Sequence, residues 1–399
     1  MMADMKQIKI CLVTLPYLIG RSWVRQDAEI LRSLGFDVVT LPIPCGFPNP
    51  RCFIWLIKHV RSILNCHIIF EWFAFPAIVF IGKALGKPTV LNSVGYEVAL
   101  YSEFGYGLPS SRFERAMISL GFRNADYVMA VSKESAKWAK AWGAQNVAVI
   151  YEGIDTDEFK YKARKPKYRS RNKIVTVAYL GLMNVIRKDL ITLLKALKLV
   201  VDVLPDAKLI IVGEKMDGYP VLVKTAKEVG IADAIVFKGF VNSEELLNII
   251  YDASVFVMPS LQEGFPTALC EALSCGVPIV TTNRPAMNEV FENNVHTLLV
   301  EAKNPQKLAE AIIAVLTNRD LAETIAHNGR ELVESRYSKE VRAKKLKNYF
   351  LTVVKNVRRR KRCYGFNVVW LYVFLALCLT FPLTTIMKGL LSRLALKKD

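Results

Sequence analysis

Two glutamates separated by a turn are the residues with the clearest potential for chemistry. Glu263 and Glu271 lie between two short apolar runs, 256–260 and 277–280, which predict buried parallel strands. The segment between the runs predicts a turn that enters a helix, with Glu271 about two turns along it. Open α/β sheets bind ligands at the carboxyl ends of their strands, and a helix start offers free N–H groups to a phosphate. Because carboxylates accept hydrogen bonds from ribose and sugar hydroxyls, the block predicts a site for a phosphate-bearing sugar, unless Glu263 is a loop residue and Glu271 a solvated helix residue.

The block from Glu263 to Glu271 resembles the E-x7-E signature of glycosyltransferase family four, which contains retaining enzymes of the GT-B fold. In that family the first Glu meets the transferred sugar and the second meets the ribose of the nucleotide, which implies these roles for Glu263 and Glu271. The resemblance implies an α/β fold in which two Rossmann-like, doubly wound domains face a cleft. Pro266 stands where the family often has a second Gly, so one backbone N–H is missing from the expected phosphate contact.

Two adjacent cations form the second candidate feature. Arg187 and Lys188 follow an apolar run, 174–181, that predicts a strand, and they precede an amphipathic helix predicted over 190–203. In the family, an Arg directly after the glycine and a Lys further on grip the diphosphate; here Leu182 occupies the Arg position and Lys188 matches the Lys. Cations at a helix start oppose the helix dipole, so we expect Arg187 and Lys188 to face a bound anion rather than solvent.

The resemblance also extends to the strand predicted over 235–239, whose end is similar to the F-x-G segment that borders the nucleotide base in the family. Phe237 and Phe240 can alternatively be core residues. The resemblance implies catalytic roles for Glu263, Lys188 and Arg187. The donor-binding residues that it implies are Glu271, Gly264, Phe265, Pro266, Thr267, Gly181, Gly239 and Phe240.

The N-terminal half predicts the βαβ beginning of a Rossmann-like domain, with a strand over 8–16, a helix over 24–34 and a strand over 37–41. Gly20 lies where the family keeps a glycine loop that approaches acceptor and donor phosphates. After a strand predicted over 88–91, Asn92 and Ser93 stand near the family's His-Gly pair, so one of them is expected to supply the polar contact. Glu97 is a further acceptor-side candidate.

The predicted domains follow this division of motifs. They are an acceptor-side domain over 1–160, a basic linker over 161–173, a nucleotide-sugar-binding domain over 174–335, a basic helical region over 336–362 and an apolar helix over 363–387. Asp155 and Asp157 form an Asp-x-Asp pattern, which is typical of a metal site in the other large glycosyltransferase fold. Here it stands in a passage that resembles the family's connection between domains, with Glu152 at the usual Asn position.

The charge of the chain predicts an anionic partner. The formal net charge is +18, yet no nucleic-acid-binding motif is present. Much of the charge lies before residues 363–387, which contain no charged residue and as a helix would be about 37 Å long, enough to cross a bilayer. The sequence therefore predicts a transmembrane helix, an anionic membrane surface as partner and a cytoplasmic main body. The alternative is a buried or in-plane helix, which Pro382 and the polar residues of the span favour.

The histidine and cysteine spacings predict no metal site and no cofactor other than the nucleotide-sugar substrate. The four histidines are scattered, and the eight cysteines include no C-x-x-C pair. Cys11, Cys270 and Cys275 are expected to be buried free thiols, which suits a reducing compartment.

Together these features predict a membrane-associated hexosyltransferase that moves a sugar from a UDP- or GDP-type donor to a lipid-linked or other glycan acceptor. Two alternatives are a related transferase with a soluble acceptor and a non-catalytic membrane-bound protein of the same fold. An oxidoreductase would need a G-x-G-x-x-G motif after a strand, which Gly105 and Gly107 do not complete.

Overall fold

The chain forms two compact α/β units. The computed structural model describes residues 8–16, 22–44, 50–73, 76–95, 99, 111–161, 172–359, 367 and 369–376. Among these, the first unit comprises 8–150 and 343–376, and the second comprises 151–342. Each unit contains a six-stranded sheet in which every described strand pair is parallel.

The first unit has the strand order β2-β1-β3-β4-β5-β6. Its strands are β1 (Lys9–Thr14), β2 (Asp37–Pro42), β3 (Ile68–Trp72), β4 (Thr89–Ser93), β5 (Tyr127–Ala130) and β6 (Val147–Val149). Its helices are α1 (Ser22–Ser33), α2 (Pro50–Leu64), α3 (Pro76–Leu85), α4 (Arg112–Asn124) and α5 (Lys133–Ala141).

The core of the first unit lies on both faces of its sheet, because each strand carries apolar residues toward both sides. All residues of β3 and β4 are buried, as expected for central strands of a parallel sheet. On one face Phe350, from a helix near the end of the chain, is fully buried, with its ring centroid 5.3 Å from that of Phe70 and 6.0 Å from that of Phe36. The C-terminal part of the chain therefore completes the core of the N-terminal unit.

The second unit has the strand order β12-β11-β10-β7-β8-β9. Its strands are β7 (Lys173–Val177), β8 (Lys208–Val212), β9 (Ile235–Gly239), β10 (Val255–Met258), β11 (Ile279–Thr282) and β12 (Leu298–Val300). Its helices are α6 (Leu182–Arg187), α7 (Leu190–Val203), α8 (Tyr219–Glu228), α9 (Ser243–Asp252), α10 (Thr267–Ser274), α11 (Pro285–Val290), α12 (Pro305–Thr317) and α13 (Arg319–Leu332). Helix α14 (Lys339–Arg359) begins here, and its residues from Ala343 onward belong to the first unit.

A close backbone approach joins the ends of β7 and β8. Gly213 has φ +147°, and a Cβ there would lie 1.8 Å from the carbonyl oxygen of Ala178, so only glycine fits. The Leu180 N–H donates to the Glu214 carbonyl at 2.9 Å, and the Leu182 N–H donates to Asp217 Oδ1 at 2.9 Å. These bonds fix the loop that leads into α6.

The boundary between the units differs from the predicted domain boundary at residue 160. Residues 151–160 belong to the second unit because their backbone pairs with residues just before α14. The Ile154 N–H donates to the Tyr337 carbonyl at 2.7 Å, and Arg342 Nη1 donates to the Tyr151 carbonyl at 2.6 Å. Arg342, which lies in the predicted basic helical region over 336–362, is buried.

The predicted transmembrane helix over 363–387 lies largely outside the described residues. Within the part of the chain that the structure describes, no helix has both the length and the apolar character needed to cross a membrane. Residues 369–376 are helical and pack on the first unit: Trp370 stacks on Phe80 with ring centroids 6.0 Å apart, and Phe374 is fully buried. Residues 369–376 of the predicted span thus pack on protein, as the alternative prediction of a buried helix expected.

The described cysteines are mostly buried thiols. Cys11, Cys270 and Cys275 are free and buried, which confirms the prediction for these three residues. Cys66 is also free and buried, whereas Cys52 at the start of α2 is disulfide-bonded, which the expectation of free thiols did not include.

Candidate active site

Glu263 lies in the loop after β10, and its carboxylate contacts three polar side chains. Arg187 Nη1 donates to Glu263 Oε2 at 2.5 Å, and Ser260 Oγ donates to Glu263 Oε1 at 2.8 Å. Lys188 Nζ lies 3.6 Å from Glu263 Oε1. The side chains of Glu263, Arg187 and Lys188 are 11%, 13% and 12% exposed, so this ion cluster is shielded from bulk water.

The position of Arg187 differs from the prediction, because it ends a helix rather than starting one. Helix α6 runs from Leu182 to Arg187, and α7 begins only at Leu190. A cation in the last turn of a helix is favoured by the dipole, so the dipole argument for a bound anion at Arg187 was wrong. The guanidinium also donates to the Gln262 carbonyl at 3.0 Å and to Asn184 Oδ1 at 3.3 Å. Arg187 therefore holds the Glu263 loop in place.

Lys188 has fewer strong acceptors than Arg187. Its Nζ has a contact of 3.1 Å with Met258 Sδ, a weak acceptor, besides the ion pair with Glu263. Burial lowers the pKa of Lys188 below its usual range, although the charge of Glu263 partly opposes the shift. An ammonium with three donors and one carboxylate partner in a shielded site can gain further stabilisation from a second anion.

The two glutamates have opposite pKa shifts. Burial alone would raise the pKa of Glu263, but the charges of Arg187 and Lys188 outweigh it and hold that pKa below the usual value. Burial, followed by the charges of Glu158 and Glu152, raises the pKa of Glu271 to about 8. At neutral pH the unliganded site thus contains one carboxylate and one neutral carboxyl, a separation typical of functional acid pairs.

Glu271 lies on α10, which begins at Thr267, so it is one turn along the helix rather than two. It is partly buried, and the charge of Lys188 favours its ionised form. Lys188 therefore lies close enough to both glutamates to interact electrostatically with each of them. This grouping agrees with the expectation that both carboxylates lie at the same strand end.

The turn between the two glutamates has free backbone donors. Within the described residues, the N–H groups of Gly264 and Phe265 make no hydrogen bond, and Pro266 is the N-cap of α10. The Phe265 ring is buried, with its centroid 5.3 Å from that of Tyr337 and 5.9 Å from that of Tyr151. The Phe265 side chain is thus a core element, and only its backbone remains available for donor binding.

Thr267 contacts Glu152, the residue at which this chain differs from the family's motif. Its hydroxyl donates to Glu152 Oε2 at 2.8 Å, which links α10 to the segment that precedes it by more than a hundred residues. Glu152 stands where the family's motif has Asn. The Thr267 hydroxyl thus already has a hydrogen-bond partner. The role of Thr267 in binding the nucleotide-sugar stays a prediction.

The other predicted donor-binding residues lie after β7 and at the end of β9. Gly181 is the N-cap of α6, and Gly239 has φ +76°, a conformation suited to glycine. Phe240 is 74% exposed and is not a core residue, whereas Phe237 packs edge-on against Tyr219 with ring centroids 5.1 Å apart. Phe237 thus packs with the core, as the alternative interpretation of these two residues expected, whereas Phe240 does not.

The described acceptor-side candidates, Asn92 and Ser93, belong to the first unit. Gly20 and Glu97 lie outside the described residues. Asn92 and Ser93 end β4, and both are fully buried.

No described residues form a metal site of three or more histidine, cysteine, aspartate or glutamate side chains. Asp155 accepts hydrogen bonds from the N–H groups of Asp157 and Glu158 at 3.2 and 3.1 Å and pairs with Lys339 at 2.9 Å. Asp155 thus stabilises the segment that precedes the linker, as expected if the Asp-x-Asp pattern is not a metal site. The absence of a metal requirement stays a prediction.

Sequence reasoning missed several supporting residues. Ser260 and Gln262 hold Glu263 and Arg187, and Asp217 caps the first turn of α6 from another strand end. Ser260 lies two residues after β10, and a polar residue so close to a strand end can be recognised in the sequence. The other contacts join residues distant in sequence and left no local pattern.

The architecture agrees with solved glycosyltransferases. Sucrose-phosphate synthase from Thermosynechococcus elongatus superposes with a TM-score of 0.74 at 18% identity, covering 88% of this chain and all of that chain. HepE from Anabaena in complex with UDP and glucose superposes with a TM-score of 0.70 at 17% identity, covering 86% of this chain and all of the other. The molecule has the GT-B fold of these transferases.

Family models identify both halves of the chain. The model described as Glycosyltransferase Family 4 matches residues 10–158, and the model described as Glycosyl transferases group 1 matches residues 157–332. The chain belongs to glycosyltransferase family four, and it is a nucleotide-sugar-dependent transferase.

Among curated relatives, the GDP-mannose-dependent α-(1-6)-phosphatidylinositol monomannoside mannosyltransferase of Mycobacterium tuberculosis is similar along most of its length. It is 29% identical over 349 residues, which covers 82% of this chain and 87% of the relative.

Proposed function

We propose that this transferase moves a hexose, with retention of anomeric configuration, from a nucleoside diphosphate sugar to a lipid-linked acceptor at the surface of an anionic membrane. The observation that supports the donor half is the position of Lys188. It is a shielded cation, interacts with Glu263 and Glu271, and has only one carboxylate within ion-pair distance among the described residues.

Cleavage of the glycosyl phosphate bond develops negative charge on the diphosphate. Lys188 and the N–H groups of Gly264 and Phe265 stabilise that charge without needing a metal, because they are fixed donors in a shielded site. We therefore expect turnover to persist in the presence of EDTA.

Each glutamate has a separate role in this proposal. Glu263, ionised by its two cations, accepts hydrogen bonds from the transferred sugar, and Glu271 binds the ribose. Retention can proceed by front-face attack or through a covalent intermediate, and both routes use the same donor residues.

The choice of donor and acceptor is guided by the relatives. The mycobacterial relative is named for GDP-mannose and for a phosphatidylinositol monomannoside, whereas the Anabaena structure contains UDP and glucose. GDP- and UDP-sugars are therefore the donors to compare, and membrane lipids are the acceptors to compare first.

An exposed stripe on α2 supports association with an anionic membrane. Phe53, Ile54, Ile57 and Leu64 are 37%, 54%, 58% and 48% exposed, and Arg51, Lys58 and Arg61 are exposed on the same helix. Large apolar side chains interleaved with cations favour an interface of headgroups and acyl chains over water.

The test is product analysis. The purified chain is incubated with GDP-mannose, UDP-glucose or UDP-N-acetylglucosamine and a membrane lipid extract, with Lys188→Ala as the matched control, and products are identified by mass spectrometry. A glycosylated lipid that depends on Lys188, with its anomeric configuration assigned by NMR, is expected. Transfer only to water-soluble acceptors would favour the related soluble-acceptor transferase, and an absence of transfer and hydrolysis with every donor would contradict the proposal.

Membrane association has its own assay. Sedimentation with vesicles of phosphatidylglycerol and phosphatidylcholine should fall for Ile54→Glu/Ile57→Glu, while Lys224→Glu on α8 should sediment as the wild type does. Equal sedimentation of both variants would remove α2 from the interface.

A further inference from the structure

The corner between α6 and α7, where Lys188 lies, has an unusual backbone conformation. Asp189 directly follows Lys188 and has φ 48° and ψ 46°, in the left-handed region that glycine favours at helix ends. Its N–H donates to the Ile186 carbonyl at 3.1 Å, and its carbonyl accepts from the Leu193 N–H at 3.2 Å, so this one residue ends α6 and begins α7. The direction in which Lys188 leaves the backbone therefore depends on the conformation of Asp189.

The carboxyl group of Asp189 joins this corner to two neighbouring segments. Its Oδ1 accepts a hydrogen bond at 2.8 Å from Thr192 Oγ1, in the first turn of α7. Burial raises the pKa of Asp189, whereas the Thr192 hydroxyl and the charge and N–H of Lys303 favour the ionised carboxylate. Lys303 lies in the turn after β12. The carboxyl thus connects the corner, the first turn of α7 and the turn after β12.

Asp189 combines two unfavourable features that a glycine at this position would not have. A left-handed conformation is less favourable for Asp than for Gly. The Asp189 side chain is 9% exposed, and within the described residues its Oδ2 makes no hydrogen bond. Residues that break local rules in this way gather at functional sites. The functional residue beside Asp189 is Lys188, whose Nζ lies 3.6 Å from Glu263 Oε1.

The backbone on the other side of Lys188 is held by the loop that carries Glu263. The Leu261 N–H donates to the Arg187 carbonyl at 2.8 Å, and the Arg187 guanidinium pairs with Glu263. The flexible stem of a lysine can swing away from a single carboxylate partner, so the direction of its backbone decides whether the ammonium faces the site. Asp189 supplies the hold that the Glu263 loop does not provide.

We infer that Asp189 is a positioning residue that directs Lys188 toward the diphosphate of the donor. It acts through the left-handed backbone of the corner and through the contacts of its carboxyl with Thr192 and with the turn after β12. This inference rests on the proposed function for the role of Lys188 and adds the residue on which that role depends. Asp189 acts only through Lys188 and not by contact with the donor.

The first test measures the position of Lys188 directly in the full-length protein. The Lys188 side chain is 12% exposed, so it should react slowly with an amine-acetylating reagent, and peptide mass spectrometry gives the rate for each lysine. Asp189→Ala disfavours the left-handed conformation and removes the carboxyl, so we expect Lys188 to be acetylated at least 5-fold faster than in the wild type. Asp189→Asn should keep the wild-type rate, because Asn tolerates this conformation and retains an acceptor for Thr192.

Matched controls separate a local change from loss of the fold. Asn294 is exposed and also has a left-handed backbone, with φ 62°, in the segment before β12, so Asn294→Ala should leave the acetylation of Lys188 unchanged. Lys173 of β7, whose side chain is 32% exposed, should react at the same rate in every variant. If Asp189→Ala does not fold, Thr192→Val takes its place, because it removes only the hydroxyl bonded to Asp189; the expected increase at Lys188 is then at least 2-fold.

The second test is a double-mutant cycle on turnover, measured as release of nucleoside diphosphate from the donor. Asp189→Ala should lower kcat at least 10-fold, and Asp189→Asn should keep kcat within 2-fold of the wild type. Lys188→Ala and the double variant Lys188→Ala/Asp189→Ala should have equal kcat values. A residue that acts through Lys188 has no further effect once the ammonium is absent.

Three results would overturn the inference. The first is equal acetylation of Lys188 in the wild type and in the folded Asp189→Ala or its replacement Thr192→Val. The second is acetylation that rises equally at Lys173, which would assign Asp189 a purely structural role. The third is a double variant in which the two losses of kcat multiply. Failure of the proposed function is distinguishable, because the wild type would then release no nucleoside diphosphate from any donor, while the acetylation rates still decide whether Asp189 positions Lys188.

Discussion

Replacement of Glu271 by Gln should stabilise the unliganded second unit in a pH-dependent manner. Burial and the charges of Glu158 and Glu152 raise the pKa of Glu271 to about 8, against an ordinary value of 4.5. Below pH 4.5, the ordinary pKa, Glu271 is protonated in both the folded and the unfolded chain, so its burial does not lower the free energy of unfolding. As the pH rises from there toward 8, only the unfolded chain ionises freely, so the folded wild type loses stability until the folded group also ionises.

The magnitude follows from the size of the shift. The full pKa shift corresponds to about 5 kcal/mol of folding free energy. Glu271 is only partly buried, and water screens part of this penalty. We therefore expect ionisation of Glu271 to destabilise the fold by about 2–4 kcal/mol. Gln resembles the protonated acid and cannot ionise. Glu271→Gln should therefore match the wild type near pH 4.5 and exceed its stability by this amount at pH 8.5.

The assay has to resolve the two units. Tryptophan fluorescence reports the first unit, which holds all six tryptophans, and should show no change. Hydrogen exchange measured by mass spectrometry over peptides of 173–300 reports the second unit. Glu158→Gln, which removes an exposed charge that raises the pKa of Glu271, should give a smaller gain with the same pH dependence. An equal gain for Glu271→Gln at pH 4.5 and 8.5, or none at either pH, would refute the reasoning.

Three further variants test other parts of the account. Lys188→Ala should lower kcat by roughly 100-fold in a transfer assay if the cation acts mainly on leaving-group charge, whereas the exposed Lys224→Ala should not; equal kcat values would remove Lys188 from catalysis. Gly213→Ala should expose β7 and β8 to hydrogen exchange, because its Cβ would lie 1.8 Å from the Ala178 carbonyl oxygen. Gly230→Ala should destabilise the second unit much less, because its Cβ meets nothing within 4 Å. Phe350→Ala should destabilise the first unit by about 3–5 kcal/mol in a tryptophan-monitored denaturant titration, and a cost below 1 kcal/mol would contradict its role in that core.

Most of the second unit could be predicted from the sequence because its strands are nearly continuous apolar runs bounded by turns. The helix predicted over 190–203 has these bounds in the structure, as does the strand over 235–239. The short helix α6 was not predicted, because its first turn is capped by Asp217, which is distant in sequence. The error about Arg187 followed from this omission.

The candidate site was partly predictable for the same reason. Residues that follow parallel strands gather at one edge of the sheet, which places Glu263 there after β10. Lys188 reaches Glu263 from the end of α6, which the sequence did not predict. The pairing of Arg187 with Glu263 and that of Thr267 with Glu152 depend on the packed loops, and no local pattern encodes them.

The ends of the units were the least predictable. Residues 151–160 join the second unit through pairing with residues near Tyr337, a contact that only the folded chain reveals. An apolar stretch such as the one containing Trp370 and Phe374 has the same composition whether it packs on protein or enters lipid.

The most direct test of the central claim is calorimetric titration of the purified chain with GDP and with UDP, in the wild type and in Glu271→Ala. At pH 8.5, above the raised pKa of about 8 of Glu271, we expect the wild type to bind at least one of the two nucleotides. Glu271→Ala should bind it roughly 10- to 100-fold more weakly at that pH, because the ribose hydroxyls lose an ionised acceptor worth about 1.5–3 kcal/mol. Equal affinities in a folded variant, or no binding of either nucleotide by the wild type, would contradict the assignment of the donor site to the carboxyl ends of β7 and β10.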